Sequence, residues 1–428
     1  MSAPHSDVPT ATKGLMKAWA FVKTGLPSAV LKLHEGRPLP IFPPEQRKKQ
    51  HAEEWILVRV SHTGLNPAGV YQIRLIPAWL RSRGSKSEAI PEVDLAGTVL
   101  EVWHPGEKKE KKEAAEAKNE NEGKGEQTAK GKENDTEEPR FQAGDKIWAS
   151  IDLPHVLKSG VGALADHVAI PARFAVRRPD RVDPLHAAGL GMATFTAKSA
   201  VDAACLLPGN RVLVVAAAGG IGSAAVQLAR EAVGPEGFVA GVCKGEKIDA
   251  VLSLGADDVV DYTAFESLPD ELARRFSDNP FDAVIDCIGL QHVYHRCAKF
   301  VRKGGKYAAV NMLAKDWTLA STLWAASKAV VSSIRPASAW LGGSGRKFIL
   351  VGMKYPSKQE REEIIGKVAD GRLEVLVDSV WEYRDALGGY DVLMERRATG
   401  KVIVKWDENA GGGQDEMHAE SRNGGIEG

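Results

Sequence analysis

Residues 211–232 read RVLVVAAAGGIGSAAVQLAREA, and this stretch decides the fold of the chain. Val212–Ala216 is an unbroken apolar run, as expected for a parallel strand that is covered on both faces. Gly219, Gly220 and Gly222 follow, and glycines there permit a tight turn and a close approach of the backbone to a phosphate. The residues after the turn are apolar at helical spacing. The stretch therefore predicts a strand, a glycine turn and a helix whose N-terminus faces the diphosphate of a dinucleotide.

The tip of the next strand bears on which dinucleotide binds. Phe238–Cys243 is followed by Lys244 and Lys247, where an NAD-specific site carries an acid for the ribose 2′-hydroxyl. A lysine there attracts a 2′-phosphate, by about 1 kcal/mol in a partly exposed position. NADP(H) is therefore the predicted cofactor. In the alternative, the lysines are ordinary loop charges and Glu246 supplies the acid of an NAD site.

Size and charge exclude several classes of protein. A chain of 428 residues predicts two domains. Lysine plus arginine number 56, as do aspartate plus glutamate, so no net charge recruits nucleic acid or an acidic membrane surface. The apolar stretch 318–334 is interrupted by Lys328 and several serines, which argues against a membrane span.

Cysteine usage and the first residues predict the compartment. The four cysteines show no framework spacing, and reduced, buried thiols are typical of an intracellular protein. Residues 1–14 contain neither an apolar signal-peptide core nor an arginine. We therefore expect a cytoplasmic protein, with a mitochondrial one as the alternative.

The chain changes character along its length. Residues 14–175 read as short strands broken by proline and glycine. Within them, residues 104–140 contain no Val, Ile, Leu, Met, Phe, Trp or Tyr and predict a disordered insertion, because nothing there can offset the entropy of ordering. Residues 176–353 alternate between helices and strands, which predicts a doubly wound parallel sheet. Residues 354–406 close the fold, and 1–13 and 407–428 are predicted to be a disordered leader and tail.

The predicted strands of the alternating region are Val212–Ala216, Phe238–Cys243, Asp258–Tyr262, Ala283–Cys287, Lys306–Asn311 and Phe348–Gly352. Gly304 and Gly305 are interpreted as a plain turn before the fifth of them. Two helices, over Lys358–Asp370 and around Tyr383–Arg397, and a last strand, Lys401–Trp406, are predicted after the sheet.

Four segments resemble, in order, the motifs of the medium-chain dehydrogenase/reductase superfamily, with the closest likeness to its zinc-free quinone oxidoreductase-like branch. Gly64–Pro67 resembles the active-site loop, Ile90–Val99 a Pro-Gly-x-Asp-Phe-Ala-Gly-x-Val strand, Ala217–Gly222 the cofactor turn and Arg397–Val404 the closing strand. The resemblance implies a Rossmann NADP-binding domain, 176–353, inserted into a split GroES-like β-barrel domain formed by 14–175 and 354–406. The active site then lies in the cleft between them.

The chain departs from the family's pattern in several places. The first glycine of the turn is Ala216, the acid that usually follows Asn-Pro is Gly69, and the Phe of the strand motif is Leu95. The resemblance nevertheless implies Asn66 and Tyr71 as catalytic hydrogen-bond donors. In the alternatives, Asn66 only forms a turn and Tyr71 only fills the barrel.

The resemblance and the position of residues at strand ends also predict the cofactor contacts. Thr194 competes with Thr196 for the place beside the nicotinamide, and Lys401 has the alternative of a strand-surface lysine. The predicted contacts are Thr196, Ala217, Gly219, Gly220, Ile221, Gly222, Cys243, Lys244, Lys247, Tyr262, Cys287, Gly289, Phe348, Val351 and Lys401.

No metal is predicted. Zinc-using relatives need a Cys or His, a His-Glu pair and a four-cysteine lobe, because Zn²⁺ prefers tetrahedral nitrogen and sulfur ligands. The sequence has no suitable His-Glu pair after Asn66 and no clustered cysteines, and His62 is interpreted as a polar residue at a strand end.

These features predict an NADPH-dependent reductase that delivers hydride to a quinone or an α,β-unsaturated carbonyl, since a delocalised oxyanion needs only hydrogen-bond donors. A 2-enoyl thioester reductase is the nearest alternative, although such relatives carry a tyrosine where this chain has Ile76–Trp79. A cofactor-binding accessory or sensor protein without turnover is the other. The predicted partner is a small molecule rather than nucleic acid, and the family's frequent dimers leave a homodimer open.

Overall fold

The computed structural model describes residues 14–42, 53–77, 88–104, 140–310, 316–334 and 344–406. The predicted leader, the predicted tail and nearly all of the predicted insertion 104–140 lie outside these residues. In the β-rich part, the strands are β1 (Leu15–Ala20), β2 (Lys32–Pro38), β3 (Trp55–Leu65), β4 (Asp94–Trp103), β5 (Lys146–Ser150), β6 (His167–Pro171), β7 (Ala175–Arg177), β14 (Val377–Glu382) and β15 (Lys401–Lys405). In the alternating region, they are β8 (Arg211–Val215), β9 (Phe238–Cys243), β10 (Asp258–Asp261), β11 (Phe281–Asp286), β12 (Val301–Ala309) and β13 (Lys347–Leu350).

The helices connect these strands and cover the sheets. They are α1 (Pro27–Val30), α2 (Pro67–Leu75), α3 (Leu153–Ser159), α4 (Pro184–Ala204), α5 (Gly220–Val233), α6 (Ile248–Ser253), α7 (Leu268–Phe276), α8 (Gln291–Arg296), α9 (Leu319–Ile334), α10 (Lys358–Ala369) and α11 (Ala386–Glu395). Among the helices in the described ranges, none has the length and apolarity that crossing a bilayer requires.

The alternating region forms the predicted parallel sheet. Its six strands lie in the order β10-β9-β8-β11-β12-β13, and every neighbouring pair is parallel. The strand order reverses beside β8, so the carboxyl ends of β8 and β11 border the crevice where such sheets bind ligands. The predicted Rossmann architecture is confirmed.

One boundary in this sheet differs from the prediction. β12 begins at Val301, which pairs with Phe281, and the register then shifts before Lys306 pairs with Ala283. Gly304 has φ 79° within this irregularity, so the glycine pair makes a bulge inside the strand rather than a turn before it.

The second sheet combines strands from both ends of the chain. Its order is β14-β15-β3-β4-β5-β7, with β6 paired to β3, so the C-terminal strands complete a sheet begun by the N-terminal ones. The sequence predicted β15 but missed β14, in which partly buried and exposed residues alternate without a strong apolar pattern.

The two sheets are joined where β15 begins. The Gly400 N–H donates to the Ala218 carbonyl over 2.8 Å, and Gly219 and Gly400 form a parallel bridge. Helix α4 packs against α5 of the parallel sheet and against β3 and β4 of the other. The cofactor turn and the closing strand are therefore held at one place.

Candidate active site

The glycine turn has the geometry of an anion cradle. Ala216 adopts a left-handed backbone with φ 59° directly after β8, so the chain turns there without the usual glycine. A Cβ on Gly222 would lie 2.1 Å from the Ala216 carbonyl oxygen, so only glycine allows this approach. Helix α5 begins at Gly220 without a side-chain cap, which leaves the first-turn N–H groups without partners inside the helix.

A cleft of about 810 Å³ opens along this turn and is lined by residues of both sheets and their helices. It brings together most of the residues that the sequence predicted. The predicted residues that line it are Asn66, Tyr71, Thr196, Gly219, Gly220, Ile221, Gly222, Cys243, Lys244, Lys247, Tyr262, Cys287, Val351 and Lys401.

Three of the predicted cofactor contacts, Ala217, Gly289 and Phe348, are not among the residues that line this cleft. Ala217 is fully buried behind the turn. The Gly289 N–H donates to the Asp286 carboxylate over 2.7 Å and so shapes a loop. The Phe348 ring stacks on Tyr307 in the core of the parallel sheet, with ring centroids 6.0 Å apart. Ala217 and Phe348 therefore contribute to the core, and Gly289 contributes to the shape of a loop.

Opposite charges meet at the tip of β9. The Lys244 ammonium lies 3.0 Å from the Glu246 carboxylate, so the two alternatives of the sequence analysis, a lysine or an acid, form an ion pair. Lys247 donates to the carbonyls of Arg397 and Ala398 in the segment before β15. Lys244 is the more exposed of the two lysines, and its side chain retains 45% exposure.

Sequence reasoning missed several lining residues. Arg396 and Arg397 line the cleft from the end of α11, and His292 lines it from α8. Trp317 lines it next to Tyr71. Among these four lining residues, the two arginines could have been found from the sequence, because they lie just before the Gly400-Lys401 pair of the closing-strand motif.

The competing threonines are separated by the structure. Thr196 lines the cleft and its hydroxyl donates to the Met192 carbonyl over 2.6 Å. Thr194 is buried in α4. Cys287, at the end of β11, lines the cleft, and burial raises the pKa of its thiol.

Asn66 is held by a buried polar network. Its Nδ2 donates to the Gly64 carbonyl over 3.1 Å and to Asp94 Oδ2 over 2.9 Å. Its Oδ1 accepts from Lys401 Nζ over 2.6 Å. An amide has two N–H donors, and both are used inside the protein. In this arrangement Asn66 holds Lys401 while its own N–H groups are engaged inside the protein, so the predicted donor role would require one of these bonds to open.

Lys401 spans the two halves of the site. It is only 5% exposed, so it is not a strand-surface lysine. Its Cδ lies 3.0 Å from where a Cβ on Gly220 would stand, and its Nζ donates to the Leu65 carbonyl over 3.0 Å. Burial lowers the pKa of Lys401, and the nearby Asp94 carboxylate opposes this shift. The stem thus borders the glycine turn while the ammonium reaches the active-site loop.

Glu92, which sequence reasoning did not single out, completes the network. Its Oε2 accepts from the Asn66 N–H over 3.0 Å and its Oε1 accepts from the Tyr390 hydroxyl over 2.8 Å. It is 1% exposed, and burial raises its pKa to about 8. A buried acid behind a catalytic loop leaves no pattern in a single sequence.

The raised pKa of Glu92 predicts a pH-dependent stability. The folded state holds this proton more tightly than the unfolded state, whose pKa is near 4.5, so the stabilisation is complete below pH 4.5. The free energy of unfolding is expected to fall by up to about 1.4 kcal/mol per pH unit as the pH rises towards about 8. Urea unfolding at a series of pH values between 5 and 9 measures this change in the free energy of unfolding.

The control for this prediction is a variant without the titrating group. Glu92→Gln should flatten the pH dependence, whereas Glu101→Gln, which changes an exposed acid in β4, should leave it unchanged. Equal slopes in the parent and in Glu92→Gln would contradict the prediction.

Tyr71 faces the cleft from helix α2, not from a barrel strand. Its ring lies 4.9 Å from the Trp317 ring, and Arg74 Nε donates to the Trp317 carbonyl over 2.8 Å. Within the described parts of the chain, no side chain or backbone group hydrogen-bonds the Tyr71 hydroxyl. Tyr71 can therefore donate to a molecule in the cleft.

The described residues include no group of three or more His, Cys, Asp or Glu side chains arranged to hold a metal ion. His62 Nδ1 lies 3.1 Å from the Ser61 hydroxyl in β3.

Comparisons with known proteins agree with this architecture. A family model described as "Zinc-binding dehydrogenase" matches residues 254–404. The trans-enoyl reductase poxH of Penicillium oxalicum is 26% identical over 425 residues, which cover 93% of this chain and 100% of that protein. The chloroplastic NADPH-dependent alkenal/one oxidoreductase of Arabidopsis thaliana is 29% identical over 298 residues, covering 69% of this chain and 62% of that protein.

A solved structure shows the same fold. The quinone oxidoreductase from Coxiella burnetii superposes with a TM-score of 0.62 at 19% identity, covering 91% of this chain and 99% of that one. This likeness concerns the fold, and the glycine turn, the split β sheet and the relatives above agree with it. Together, these findings support assignment of the chain to the medium-chain dehydrogenase/reductase superfamily of oxidoreductases.

Proposed function

We propose that the protein is an NADPH-dependent, zinc-independent reductase that transfers hydride to an α,β-unsaturated carbonyl or a quinone. The observation that carries this proposal is the single cleft lined both by the glycine turn and by Tyr71. The relatives named as a trans-enoyl reductase and as an alkenal/one oxidoreductase support an unsaturated carbonyl. The proposal that a quinone is an alternative acceptor rests on the motif resemblance.

The cleft residues fit a dinucleotide. The N–H groups at the start of α5 would hold the diphosphate, because a helix N-terminus attracts anions and glycine permits close approach. Lys244 would attract a 2′-phosphate, and Thr196 lines the other part of the cleft. When bound, NADPH supplies the hydride.

The remaining chemistry falls to side chains of the cleft. The Tyr71 hydroxyl would donate to the acceptor oxygen, on which negative charge develops as hydride arrives. Contact with Trp317 fixes the Tyr71 ring. Holding cofactor and acceptor in one cleft contributes further, since effective molarity is worth about 7–11 kcal/mol of the barrier in favourable cases.

A second candidate is a 2-enoyl thioester reductase, favoured by relatives named trans-enoyl reductases, among them poxH of Penicillium oxalicum and pgmF of Aspergillus terreus. The tyrosine expected for that class is missing at Ile76–Trp79, of which 78 and 79 lie outside the described residues. The third candidate is an accessory protein that binds NADPH without turnover.

One set of measurements tests these candidates. Calorimetry compares NADPH with NADH, and NADPH oxidation is followed with an enone, a quinone and an enoyl thioester. Turnover of the enone or quinone supports the proposal, and preferential turnover of the thioester supports the second candidate. Tight NADPH binding without any turnover supports the accessory protein. Tighter binding of NADH, or one firmly bound zinc per chain by metal analysis, would refute the cofactor or metal assignment.

Tyr71→Phe tests the proposed donor. Losing one hydrogen bond to a developing oxyanion is expected to lower kcat by about 100-fold. The ring contact with Trp317 is kept, so the melting temperature and the NADPH dissociation constant should not change. Unchanged kcat with the best acceptor would show that Tyr71 only packs.

A further inference from the structure

The backbone at position 92 has a conformation that favours glycine but carries a glutamate. Glu92 has φ 71°, in the left-handed region that non-glycine residues rarely adopt. Its side chain is buried and fully engaged by Asn66 and Tyr390. Strain of this kind persists only where surrounding contacts hold it, and it concentrates at functional sites.

The residue that faces Glu92, Gly69, is also unusual, because it has no side chain where the family's pattern has an acid. A Cβ on Gly69 would stand 1.9 Å from Glu92 Oε1, so the Glu92 carboxyl fills the space that any side chain at 69 would need. The motifs quoted above have the opposite arrangement, with glycine at the position of Glu92 and an acid at that of Gly69. In both arrangements one carboxyl group lies beside position 69. In this chain it comes from Glu92, in the segment before β4, and not from residue 69 itself.

The hydrogen bond made by Glu92 explains why a carboxyl is needed there. Helix α2 has Asn66 as its N-cap, and Gly69 is its third residue, N3. An acid at N3 normally accepts from the N-cap N–H in a capping box. Here Glu92 Oε2 accepts that bond, over 3.0 Å, from outside the helix. A carboxyl oxygen can accept this bond whether or not Glu92 carries a proton.

The consequence reaches the cleft through two further bonds. Asn66, fixed by Glu92 at its N–H, accepts from Lys401 Nζ over 2.6 Å, and Lys401 lines the cleft beside Gly220. We propose that Glu92 is a positioning residue, which fixes Asn66 and through it Lys401, and that it replaces the N3 acid of helix α2. The effect on turnover rests on the proposed function; the effect on Asn66 and Lys401 does not.

The test exchanges the two residues. Glu92→Gly removes the carboxyl, Gly69→Glu adds one where no space exists, and the double variant swaps them. A second double variant, Glu92→Gly with Gly69→Ala, fills space at N3 without a carboxyl. Glu101→Gln removes an exposed acid from β4 as the control. The parent and all variants are compared in melting temperature, NADPH dissociation constant, and kcat and KM.

Both single variants are expected to be impaired and the swap to recover. Leaving the buried Asn66 N–H without its acceptor corresponds to about 10-fold or more, so Glu92→Gly should weaken NADPH binding and lower kcat/KM by that factor. The swap should return both to within about 3-fold of the parent, as a restored capping box predicts. The alanine double variant should regain melting temperature alone.

The outcomes separate the two proposals. If the parent binds NADPH but turns over no acceptor, the proposed function fails while recovery of the dissociation constant in the swap still supports Glu92. If the effects of the two single variants simply add in the swap, or if alanine rescues as well as glutamate, Glu92 only fills space and the inference is overturned. Unchanged binding and kcat/KM in Glu92→Gly would overturn it too.

Discussion

Gly222→Ala is expected to weaken cofactor binding strongly. The new Cβ would stand 2.1 Å from the Ala216 carbonyl oxygen and 2.8 Å from its carbonyl carbon, and these backbone atoms cannot move without opening the turn. Overpacking of this kind costs about 1–3 kcal/mol of stability. Because the same turn aims the N–H groups of α5, we expect the NADPH dissociation constant to rise by about 100-fold or more, equivalent to about 2.7 kcal/mol. Calorimetry with NADPH measures it.

The control is a glycine with open space around it. Gly366 lies in helix α10, and a Cβ there would meet nothing within 4 Å. Gly366→Ala should therefore leave binding unchanged and stabilise the helix by about 0.5–1 kcal/mol. NADPH binding of normal strength in Gly222→Ala would show that the dinucleotide is not held at this turn, and the cofactor proposal would fail.

Lys401→Met should produce the second large effect. The substitution keeps the stem beside Gly220 but removes the ammonium that donates to Leu65 and Asn66. The Asp94 carboxylate, 3.8 Å from that ammonium, then loses its buried counter-charge. Removing one partner of a buried ion pair costs about 3–5 kcal/mol, and we expect a loss of that order in the free energy of unfolding. Urea denaturation at pH 7 measures it.

Lys401→Met should also lower the activity of the protein that remains folded. Without the bond from Lys401 to its Oδ1, Asn66 should become less well ordered, and so should the cleft wall that it forms. The kcat/KM of the protein that remains folded should therefore fall. Lys405→Met removes an exposed lysine from the same strand and should change the stability by no more than about 0.5 kcal/mol. Equal stabilities of the two variants would show that the buried ammonium contributes nothing.

The parallel sheet could be predicted because its signals are local. Most of its strands are short apolar runs, and the turn after β8 uses glycines within a few residues of one another. Gly222 illustrates the link: the turn that the sequence indicates requires this glycine, and the structure shows the carbonyl that excludes a side chain. Such features depend on neighbours along the chain, so most of the contacts that the sequence predicted on this sheet do line the cleft.

Contacts between distant segments were decided only by the tertiary structure. Asn66 and Lys401 are 335 residues apart, and nothing in either segment shows that the amide holds the ammonium. The contact of Phe348 with Tyr307 could not be foreseen for the same reason, since an aromatic residue at a strand end looks alike whether it faces a cleft or a core. Glu92 reads as one acid among many, and only its approach to Gly69 shows which group the helix uses. Local patterns determine backbone and turn, whereas burial and charge pairing depend on which surfaces meet when the chain folds.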